Sequence, residues 1–274
     1  MEEFEGKVAV VTGGASGIGS GMCRRFASAG MGVVVADLDE DAAEGLSGEL
    51  RSDGARSIAV QTDVADLASV ERLAAVALSE MGSVDLVCNN AGVFIGGSIR
   101  EITRDDWRWV MSVNLDGVFH GCKVFVPILL QGVRGGHIVN TSSIGGFVTA
   151  PMAAVYSATK FAVVAYSEAL RTDLEPDGIG VSVLCPGPIR TKLAECDKHR
   201  PSDLPSTGNR SGVLWDMIRD GLDPIEVGEI VLRGVRANAT YIFTHPEWRD
   251  ALKERFDRVL AGFDPAGRVL SNGG

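Results

Sequence analysis

Short apolar runs alternate with longer stretches of mixed polarity along most of the chain. Seven runs rich in Val, Ile and Ala predict strands: KVAVVTG, GMGVVVADL, ARSIAVQTDV, SVDLVCNNAG, GGHIVNTSS, IGVSVLCPG and, more weakly, ATYIFTHP. Between these runs, apolar residues recur at helical spacing. This spacing predicts helices over Ile18 to Ala29, Asp39 to Asp53, Leu67 to Met81, Thr103 to Gly132 and Val155 to Asp173.

Strands that are apolar throughout, alternating with amphipathic helices, are typical of a parallel sheet covered by helices on both faces. The sequence contains no Pro/Gly-rich linker and no internal repeat. We therefore predict an α/β fold, a single doubly wound Rossmann-type domain over residues 1–274, with a parallel sheet of about seven strands and right-handed crossovers.

The stretch 190–223 departs from this pattern, and we name it the lid segment. Pro, Ser, Arg and Asp surround a few apolar residues there, among them Leu193, Trp215 and Ile218. Such a stretch is either a solvated surface excursion or a cover over a binding site. Because long irregular segments in compact domains are often functional, we expect it to cover a substrate.

Composition narrows the classes of function. The formal net charge is -10 and no basic run occurs, which argues against nucleic-acid binding. No apolar run approaches the ~20 residues of a membrane span, and the stretch MEEFEGKVAVV is acidic where a signal peptide would be basic. The five cysteines are scattered without CxxC spacing, as in reduced cytoplasmic proteins without a zinc site. We expect a cytoplasmic protein with a small-molecule partner and no nucleic acid, membrane or metal.

A glycine-rich turn follows the first predicted strand and leads into the first predicted helix. Gly13, Gly17 and Gly19 lie there in the pattern T-G-x-x-x-G-x-G. Glycine permits a tight bend and a close approach of the backbone to a pyrophosphate, and the helix N-terminus offers N–H groups and a favourable dipole. The strand, turn and helix together predict a dinucleotide site.

Asp37 ends the second predicted strand, in VVVADLDE. A carboxylate at this place can accept hydrogen bonds from both hydroxyls of an adenosine ribose and would repel a 2′-phosphate. No Arg or Lys lies within the glycine turn or directly after Asp37, and Asp39 is better placed to cap the next helix. We therefore expect NAD in preference to NADP.

Polar residues also follow the third and fourth predicted strands. Asp63 is expected to bond the amino group of an adenine that rests beside Val64. In the tetrapeptide NNAG, the amides of Asn89 and Asn90 are expected to lock the ends of the central strands, and Gly92 lets the backbone approach the cofactor.

The reacting groups are sought at the fifth strand and the helix after it. Ser143 lies where its hydroxyl can bond the oxygen of an alcohol or ketone; Ser142 is the alternative, since a shift of one residue turns a side chain to the other face. Tyr156 and Lys160 lie one helical turn apart, either as an exposed pair or as a proton-transfer pair. A Tyr pKa of about 10 is too high for a base at neutral pH, and the Lys160 ammonium would lower it.

In the proton-transfer interpretation, Tyr156 takes the hydroxyl proton of an alcohol as a hydride leaves its carbon for nicotinamide, and returns the proton in the reverse direction. Lys160 would also donate hydrogen bonds to the nicotinamide ribose. Asn114 is a poor helix former at a helix interior. We expect it to hold a water that links Lys160 to solvent.

Together these motifs resemble the short-chain dehydrogenase/reductase family in its single-domain form, from about Lys7 to Thr191 and more loosely beyond. The resemblance rests on T-G-x-x-x-G-x-G, N-N-A-G, Y-x-x-x-K and PGPIRT. It implies a catalytic tetrad of Asn114, Ser143, Tyr156 and Lys160, and a homotetramer or homodimer built partly from the helices that carry Asn114 and Tyr156. It implies that Ile189 and Thr191 contact the nicotinamide carboxamide. The expected cofactor contacts are Gly13, Ser16, Gly17, Ile18, Gly19, Asp37, Leu38, Asp63, Val64, Asn90, Ala91, Gly92, Tyr156, Lys160, Pro186, Gly187, Ile189 and Thr191.

The expected substrate pocket is apolar, with no cation to hold a carboxylate or phosphate. Phe94, Phe147 and Trp215 are expected to line it beside Ser143 and Tyr156. Such a pocket suits a bulky, largely hydrophobic secondary alcohol or ketone. The C-terminal region is similar to bacterial dehydrogenases that act on the benzylic alcohol of lignin-derived dimers, which implies an aryl or similarly bulky alcohol.

Two other functions are weighed against this one. An NADPH-dependent ketoreductase of the 3-oxoacyl or polyketide type would share the tetrad, but no base neighbours Asp37 to bind a 2′-phosphate. A non-catalytic dinucleotide sensor would have no need of four reacting residues together.

Overall fold

The computed structural model describes residues 1, 3–132, 135–205, 216 and 218–263. Trp215, one of the expected substrate contacts, lies outside the described residues, as does most of the second half of the lid segment.

Seven parallel strands form one sheet in the described part of the chain, in the order β3-β2-β1-β4-β5-β6-β7. The strands are β1 Val8–Thr12, β2 Gly32–Asp37, β3 Ser57–Gln61, β4 Leu86–Asn89, β5 Gly136–Thr141, β6 Ile179–Cys185 and β7 Tyr241–Phe243. The strand order reverses between β1 and β4, and in such sheets a crevice opens at the carboxyl ends of these strands. The predicted doubly wound α/β fold is confirmed.

Helices cover both faces of the sheet. They are α1 Gly17–Ser28, α2 Glu40–Ser52, α3 Leu67–Met81, α4 Arg104–Met111, α5 Gly117–Gln131, α6 Ala154–Leu174, α7 Pro224–Arg236 and α8 Arg249–Ala261. One core cluster joins the sheet to α1, α2 and α7, through residues such as Phe26, Leu46 and Val231. A second cluster joins the opposite face to α3, α5 and α6, through Leu73 and Phe125 among others. The sheet is therefore held by a core cluster on each face, and with it the strand ends, where the predicted site residues lie.

The single helix predicted from Thr103 to Gly132 is wrong in its middle. A π-helical turn, Ser112–Asp116, separates α4 from α5 and contains Asn114. The Asn114 amide bonds both backbone groups of Val93, accepting from its N–H at 2.8 Å and donating to its carbonyl at 2.9 Å. These bonds tie the wide turn to the loop after β4. Single π-helical turns inside α-helices are frequent at functional sites.

The stretch Arg104–Gln131 is long and apolar enough, by length and composition, to cross a membrane. Within the fold, α5 contributes Val118, Phe125 and Leu129 to the second core cluster. Core helices of globular proteins pass the same test, so this stretch is weak evidence for a membrane span.

The two ends of the lid segment meet at one place. Ile189 and Leu222 form an isolated parallel bridge, and the Arg190 N–H donates to the Leu222 carbonyl at 3.0 Å. Arg190 and Asp223 add an exposed ion pair at 2.6 Å. The excursion is therefore closed at its base by backbone hydrogen bonds.

Candidate active site

A cavity of about 630 Å³ opens at the carboxyl ends of β1 to β6. This volume lies within the range of ligand-binding pockets. The predicted residues that line it are Gly13, Ser16, Gly17, Ile18, Asp37, Leu38, Asp63, Val64, Asn90, Ala91, Gly92, Phe94, Ser143, Tyr156, Lys160, Pro186, Gly187, Ile189 and Thr191. Gly19, Asn114 and Phe147 are predicted site residues that do not line it.

The glycine turn has the backbone form that a pyrophosphate site requires. Gly13 and Gly17 have φ of 60° and 50°, in the left-handed region that favours glycine. A methyl group on Gly19 would lie 2.0 Å from the Gly13 carbonyl oxygen, so the turn and α1 approach each other closely. Ser16 caps α1 without a side-chain hydrogen bond, and the first turn of α1 contains no acidic residue. The turn fits an anionic dinucleotide group at the helix N-terminus.

Asp37 is fixed at the edge of the cavity through both of its carboxylate oxygens. One oxygen accepts from the Ala15 N–H in the glycine turn at 2.9 Å, and the other accepts from the Asp39 N–H at 3.1 Å. Asp39 itself caps α2 by accepting from Ala42, as predicted. Asp37 therefore brings a carboxylate to the cavity rather than capping the next helix.

Side chains at the ends of β1, β4 and β5 lock these strands together. The Thr12 hydroxyl accepts from the N–H groups of Asn90 and Ala91, at 2.9 and 3.2 Å. The Asn90 amide donates to the Thr12 carbonyl at 3.0 Å, and the buried Asn89 donates to Asn140 at 2.8 Å. The predicted role of the two asparagines is confirmed. Thr12 and Asn140 are partners that the motif alone did not reveal.

The structure separates the two candidate serines after β5. Ser142 is buried, and its hydroxyl donates to the Lys160 carbonyl at 2.8 Å. The Ser143 hydroxyl accepts from the Gly145 N–H at 3.0 Å, makes a long bond of 3.4 Å to the Pro186 carbonyl, and is hydrogen-bonded with Tyr156. The Ser143 hydroxyl can therefore exchange its long bond to Pro186 for a hydrogen bond to a substrate oxygen.

Tyr156 and Lys160 are not an exposed pair. The Lys160 side chain is buried, and its Nζ donates to the Thr141 carbonyl at 3.0 Å. The same Nζ lies 5.5 Å from the centre of the Tyr156 ring. The structure therefore removes the surface-pair interpretation and places both groups at the cavity.

The pKa of Tyr156 differs from the expectation. Burial raises this pKa above its usual value, and the hydrogen bond with Ser143 lowers it only in part. Burial also lowers the pKa of Lys160, to about 8. The groups of the chain alone therefore do not bring the phenol toward neutral pH, because the desolvation of Tyr156 outweighs its hydrogen bond with Ser143.

Asn114 lies behind the cavity wall. It is fully buried, and besides Val93 it donates to the Thr159 hydroxyl at 3.3 Å. A methyl group on Gly92 would lie 3.4 Å from the Asn114 side-chain oxygen and 3.6 Å from the Lys160 Nζ. The Asn114 side-chain oxygen and the Lys160 Nζ therefore both lie near Gly92, and the Asn114 amide is occupied by protein partners.

The two predicted phenylalanines separate. The Phe94 ring meets the Tyr156 ring edge-on, with 5.1 Å between centroids. Phe147, expected as a substrate contact, directly follows the 3-10 turn Ile144–Gly146 and does not line the cavity. Its ring packs against those of Tyr241 and Phe243, at 5.7 and 5.5 Å.

Several lining residues were missed from the sequence. Trp248 ends the 3-10 turn Pro246–Trp248 that follows β7, so its general placement after a strand was a usable signal. Trp109 and Cys196 belong to an apolar cluster and are indistinguishable from core residues by pattern. The lining also contains the basic residues Lys192, Lys198 and His199, which corrects the expectation of a pocket without cations.

Within the described ranges, no group of three or more His, Cys, Asp or Glu side chains lies together as a metal site would require.

The fold and the cavity define a nicotinamide-dependent oxidoreductase, because a dinucleotide turn and a Ser–Tyr–Lys group meet at one switch point of a parallel sheet. A family model described as short chain dehydrogenase matches residues 7–201. The chain belongs to the short-chain dehydrogenase family, and the resemblance seen in the motifs is confirmed.

Similarity to known proteins extends over nearly the whole chain. A C alpha-dehydrogenase of Sphingobium sp. is 37% identical over 271 residues, covering 97% of this chain and 89% of the relative. A 1-deoxy-11-beta-hydroxypentalenate dehydrogenase of Streptomyces exfoliatus is 37% identical over 255 residues, with 92% and 88% covered. The solved structure of a short chain dehydrogenase/reductase from Burkholderia phymatum, in complex with NAD, has a TM-score of 0.93 and 38% identity, covering 96% of this chain and 97% of that one.

Proposed function

We propose that this protein oxidises a bulky, largely hydrophobic secondary alcohol to a ketone with NAD, and catalyses the reverse reduction. The observation that carries the proposal is the meeting of Ser143, Tyr156 and Lys160 at a cavity whose substrate side is formed by Val93, Phe94 and other apolar residues. Two relatives are dehydrogenases, one of them a hydroxypentalenate dehydrogenase, and this supports the reaction class.

A bound nicotinamide dinucleotide supplies the hydride acceptor for the oxidation. Ser143 donates a hydrogen bond to the substrate oxygen, exchanging its long bond to the Pro186 carbonyl. Tyr156 takes the hydroxyl proton at its phenolic oxygen. Lys160 donates one N–H to Thr141, and an ammonium carries three donors, so further ones serve a nicotinamide ribose. Gly13, Ser16 and Gly17 would hold the pyrophosphate at the start of α1.

The preference for NAD is proposed from Asp37. Its carboxylate is held by two backbone N–H groups at the place where the adenosine ribose binds in this fold. A 2′-phosphate would bring a second negative charge to this carboxylate. The NAD complex of the Burkholderia relative supports the preference. Asp37→Ala should narrow the ratio of NADP to NAD dissociation constants by about tenfold or more, while an unchanged ratio would assign the selectivity to other residues.

We also propose that the lid segment covers the substrate, because its described residues Leu193 and Ile218 line the cavity.

A homotetramer or homodimer in the cytoplasm is proposed as well. Exposed Phe119 and Leu130 on α5, each 47% exposed, give that helix an apolar surface for a second copy. The five cysteines are unpaired and buried, in keeping with a reducing compartment. Light scattering on a sizing column measures the oligomer.

The deciding assay follows the absorbance of reduced nicotinamide, with NAD and NADP in parallel, against secondary alcohols graded from small aliphatic to bulky benzylic. Turnover with NAD that rises with substrate bulk supports the proposal. Turnover with NADP alone would favour the ketoreductase.

The tyrosine is tested by two matched variants of α6. Tyr156→Phe should keep NAD binding and lose about 10²- to 10⁴-fold in turnover, the usual contribution of a general acid or base. Tyr166→Phe is the control, because this second tyrosine packs against the core cluster beneath the sheet. Equal activity of the two variants would remove Tyr156 from the mechanism.

A further inference from the structure

Arg200 and Asp106 form a buried ion pair between the lid segment and α4. The Arg200 Nη1 lies 2.7 Å from an Asp106 carboxylate oxygen, and the two side chains are 3% and 1% exposed. Burying both charges is costly, so such a pair is poor evidence for stability. It does fix the relative position of two segments that are far apart in sequence, because removing either partner leaves an uncompensated buried charge.

Both partners are held by further contacts. The guanidinium lies over the Trp109 ring at 5.0 Å, and its Nε donates to the Leu204 carbonyl. Asp106 also accepts from the Thr103 N–H at 2.8 Å, as part of the capping box that begins α4. Burial raises the pKa of Asp106, but the hydrogen bonds from Thr103 and Arg200 outweigh this effect and hold it below its usual value. The carboxylate therefore stays ionised opposite the guanidinium.

The pair is connected to the reacting tyrosine through two short contacts. Cys196 lies on the 3-10 helix Leu193–His199, and this helix ends directly before Arg200. Its Sγ accepts from the Phe94 N–H and donates to the Phe94 carbonyl, both at 3.3 Å. The Phe94 ring in turn packs edge-on against Tyr156. Trp109, beneath the guanidinium, lines the same cavity.

We propose that Arg200 is a positioning residue, which fixes the described start of the lid segment against α4 so that Cys196, Phe94 and Trp109 form a preset substrate wall beside Tyr156. Apolar contacts of Leu204 and Cys196 would hold the segment in place without fixing its orientation, whereas the guanidinium has directional bonds to a side chain and a carbonyl. The partners of this pair named above, Thr103, Trp109 and Leu204, do not follow β1, β2 or β3, whose ends form the cofactor half of the cavity. The kinetic part of the proposal rests on the proposed function.

The kinetic test compares Arg200→Met with Arg108→Met. Arg108 is the matched control because it pairs with Asp105 at 3.6 Å on the exposed side of the same helix. Arg200→Met should raise KM for a bulky benzylic alcohol by about tenfold or more, with a smaller effect on kcat and an NAD dissociation constant within about twofold of wild type. Arg200→Lys should recover part of the loss. A KM equal to that of the control, or an equal loss of NAD affinity, overturns the proposal.

A second variant guards against misfolding, since Arg200→Met strands the Asp106 charge. The double variant Arg200→Met, Asp106→Leu removes both charges and should fold, because apolar replacement of a buried pair is often neutral. It should keep the raised KM. A double variant with wild-type KM would show that charge balance, and not the orientation of the segment, is what matters, and would overturn the proposal.

A labelling experiment tests the same wall without any turnover. Wild-type Cys196 should react slowly with iodoacetamide, because burial raises the pKa of its thiol to about 11. Arg200→Met should speed alkylation at Cys196 by about tenfold, measured by peptide mass spectrometry, while the core thiol of Cys23 stays unreactive. If no alcohol is oxidised but Cys196 is released, the proposed function fails and the positioning role stands. An unchanged rate at Cys196 overturns the role itself.

Discussion

His137 should make the protein sensitive to mild acid. It lies on β5, 1% exposed, with its Nε2 2.8 Å from the Ser182 hydroxyl. That hydroxyl donates to the Ala239 carbonyl at 2.5 Å, so it accepts from His137, which places the imidazole proton on Nε2. The second proton would have to bind Nδ1. This atom packs closely against Gly180, since a methyl group on Gly180 would lie 2.3 Å from it. The folded protein therefore excludes the charged imidazole.

The size of the effect follows from the two pKa values. Burial, with a smaller contribution from Arg171, lowers the pKa of His137 from 6.5 to about 3. Between these values the unfolded chain binds a proton that the folded chain does not, so stability falls as the pH decreases below the unfolded pKa. The full loss is about 5 kcal/mol, and roughly 2.5 kcal/mol of it falls between about pH 7 and pH 4.5.

Urea unfolding of wild type and His137→Gln at these two pH values measures the loss of folding stability that His137 causes. The glutamine amide can still donate to Ser182, and carboxylates common to both proteins cancel in the difference. The stability gap between variant and wild type should shift by about 2 kcal/mol in favour of the variant at the lower pH. The exposed His199→Gln is the control, and its gap should stay constant. A constant gap for His137→Gln would show that the buried imidazole is protonated without cost.

Three further outcomes are expected. Gly19→Ala should weaken NAD and NADP binding alike, by at least about tenfold in titration calorimetry, because its methyl would meet the Gly13 carbonyl at 2.0 Å; unchanged affinity would show that the turn can open. Gly121→Ala should lower stability by more than about 2 kcal/mol in urea, since its methyl would lie 1.9 Å from the buried Asn89 oxygen, and a wild-type midpoint would contradict this. Trp248→Ala should lower kcat/KM by about 10- to 100-fold for bulky alcohols and spare small ones, whereas the exposed Trp107→Ala should do neither; equal losses for small and bulky substrates would deny Trp248 a part in specificity.

The sequence predicted the sheet and most residues of the cavity lining named above because one physical rule governs both. Parallel strands that are buried on both faces must be apolar throughout, so β1, β2, β4, β5 and β6 are visible as runs of Val, Ile and Leu. The polar and glycine residues directly after each run then lie at the carboxyl edge of the sheet. Gly13, Asp37 and Asn90 follow their strands in this way, and the structure places all three at one cavity.

Side-chain direction beyond the strand ends could not be predicted by this rule. Phe147 follows β5 closely, yet a short 3-10 turn directs it toward β7. The π-helical turn at Asn114 depends on hydrogen bonds to Val93, which only the fold brings near. Arg200 and Asp106 look like ordinary surface charges, because their burial is created by a segment that crosses onto α4. Each depends on a contact between distant parts of the chain.

The tyrosine and lysine of α6 show the same limit in their chemistry. Their spacing predicts that an ammonium lies near a phenol, and in the structure the Lys160 Nζ lies 5.5 Å from the centre of the Tyr156 ring. The direction of the pKa shift, however, depends on how much water both groups lose, and spacing carries no information on that. The burial of Tyr156 itself raises its pKa in the chain alone, although the Lys160 ammonium lies nearby. The spacing of a tyrosine and a lysine therefore predicts their proximity but not the direction in which the pKa of the phenol shifts.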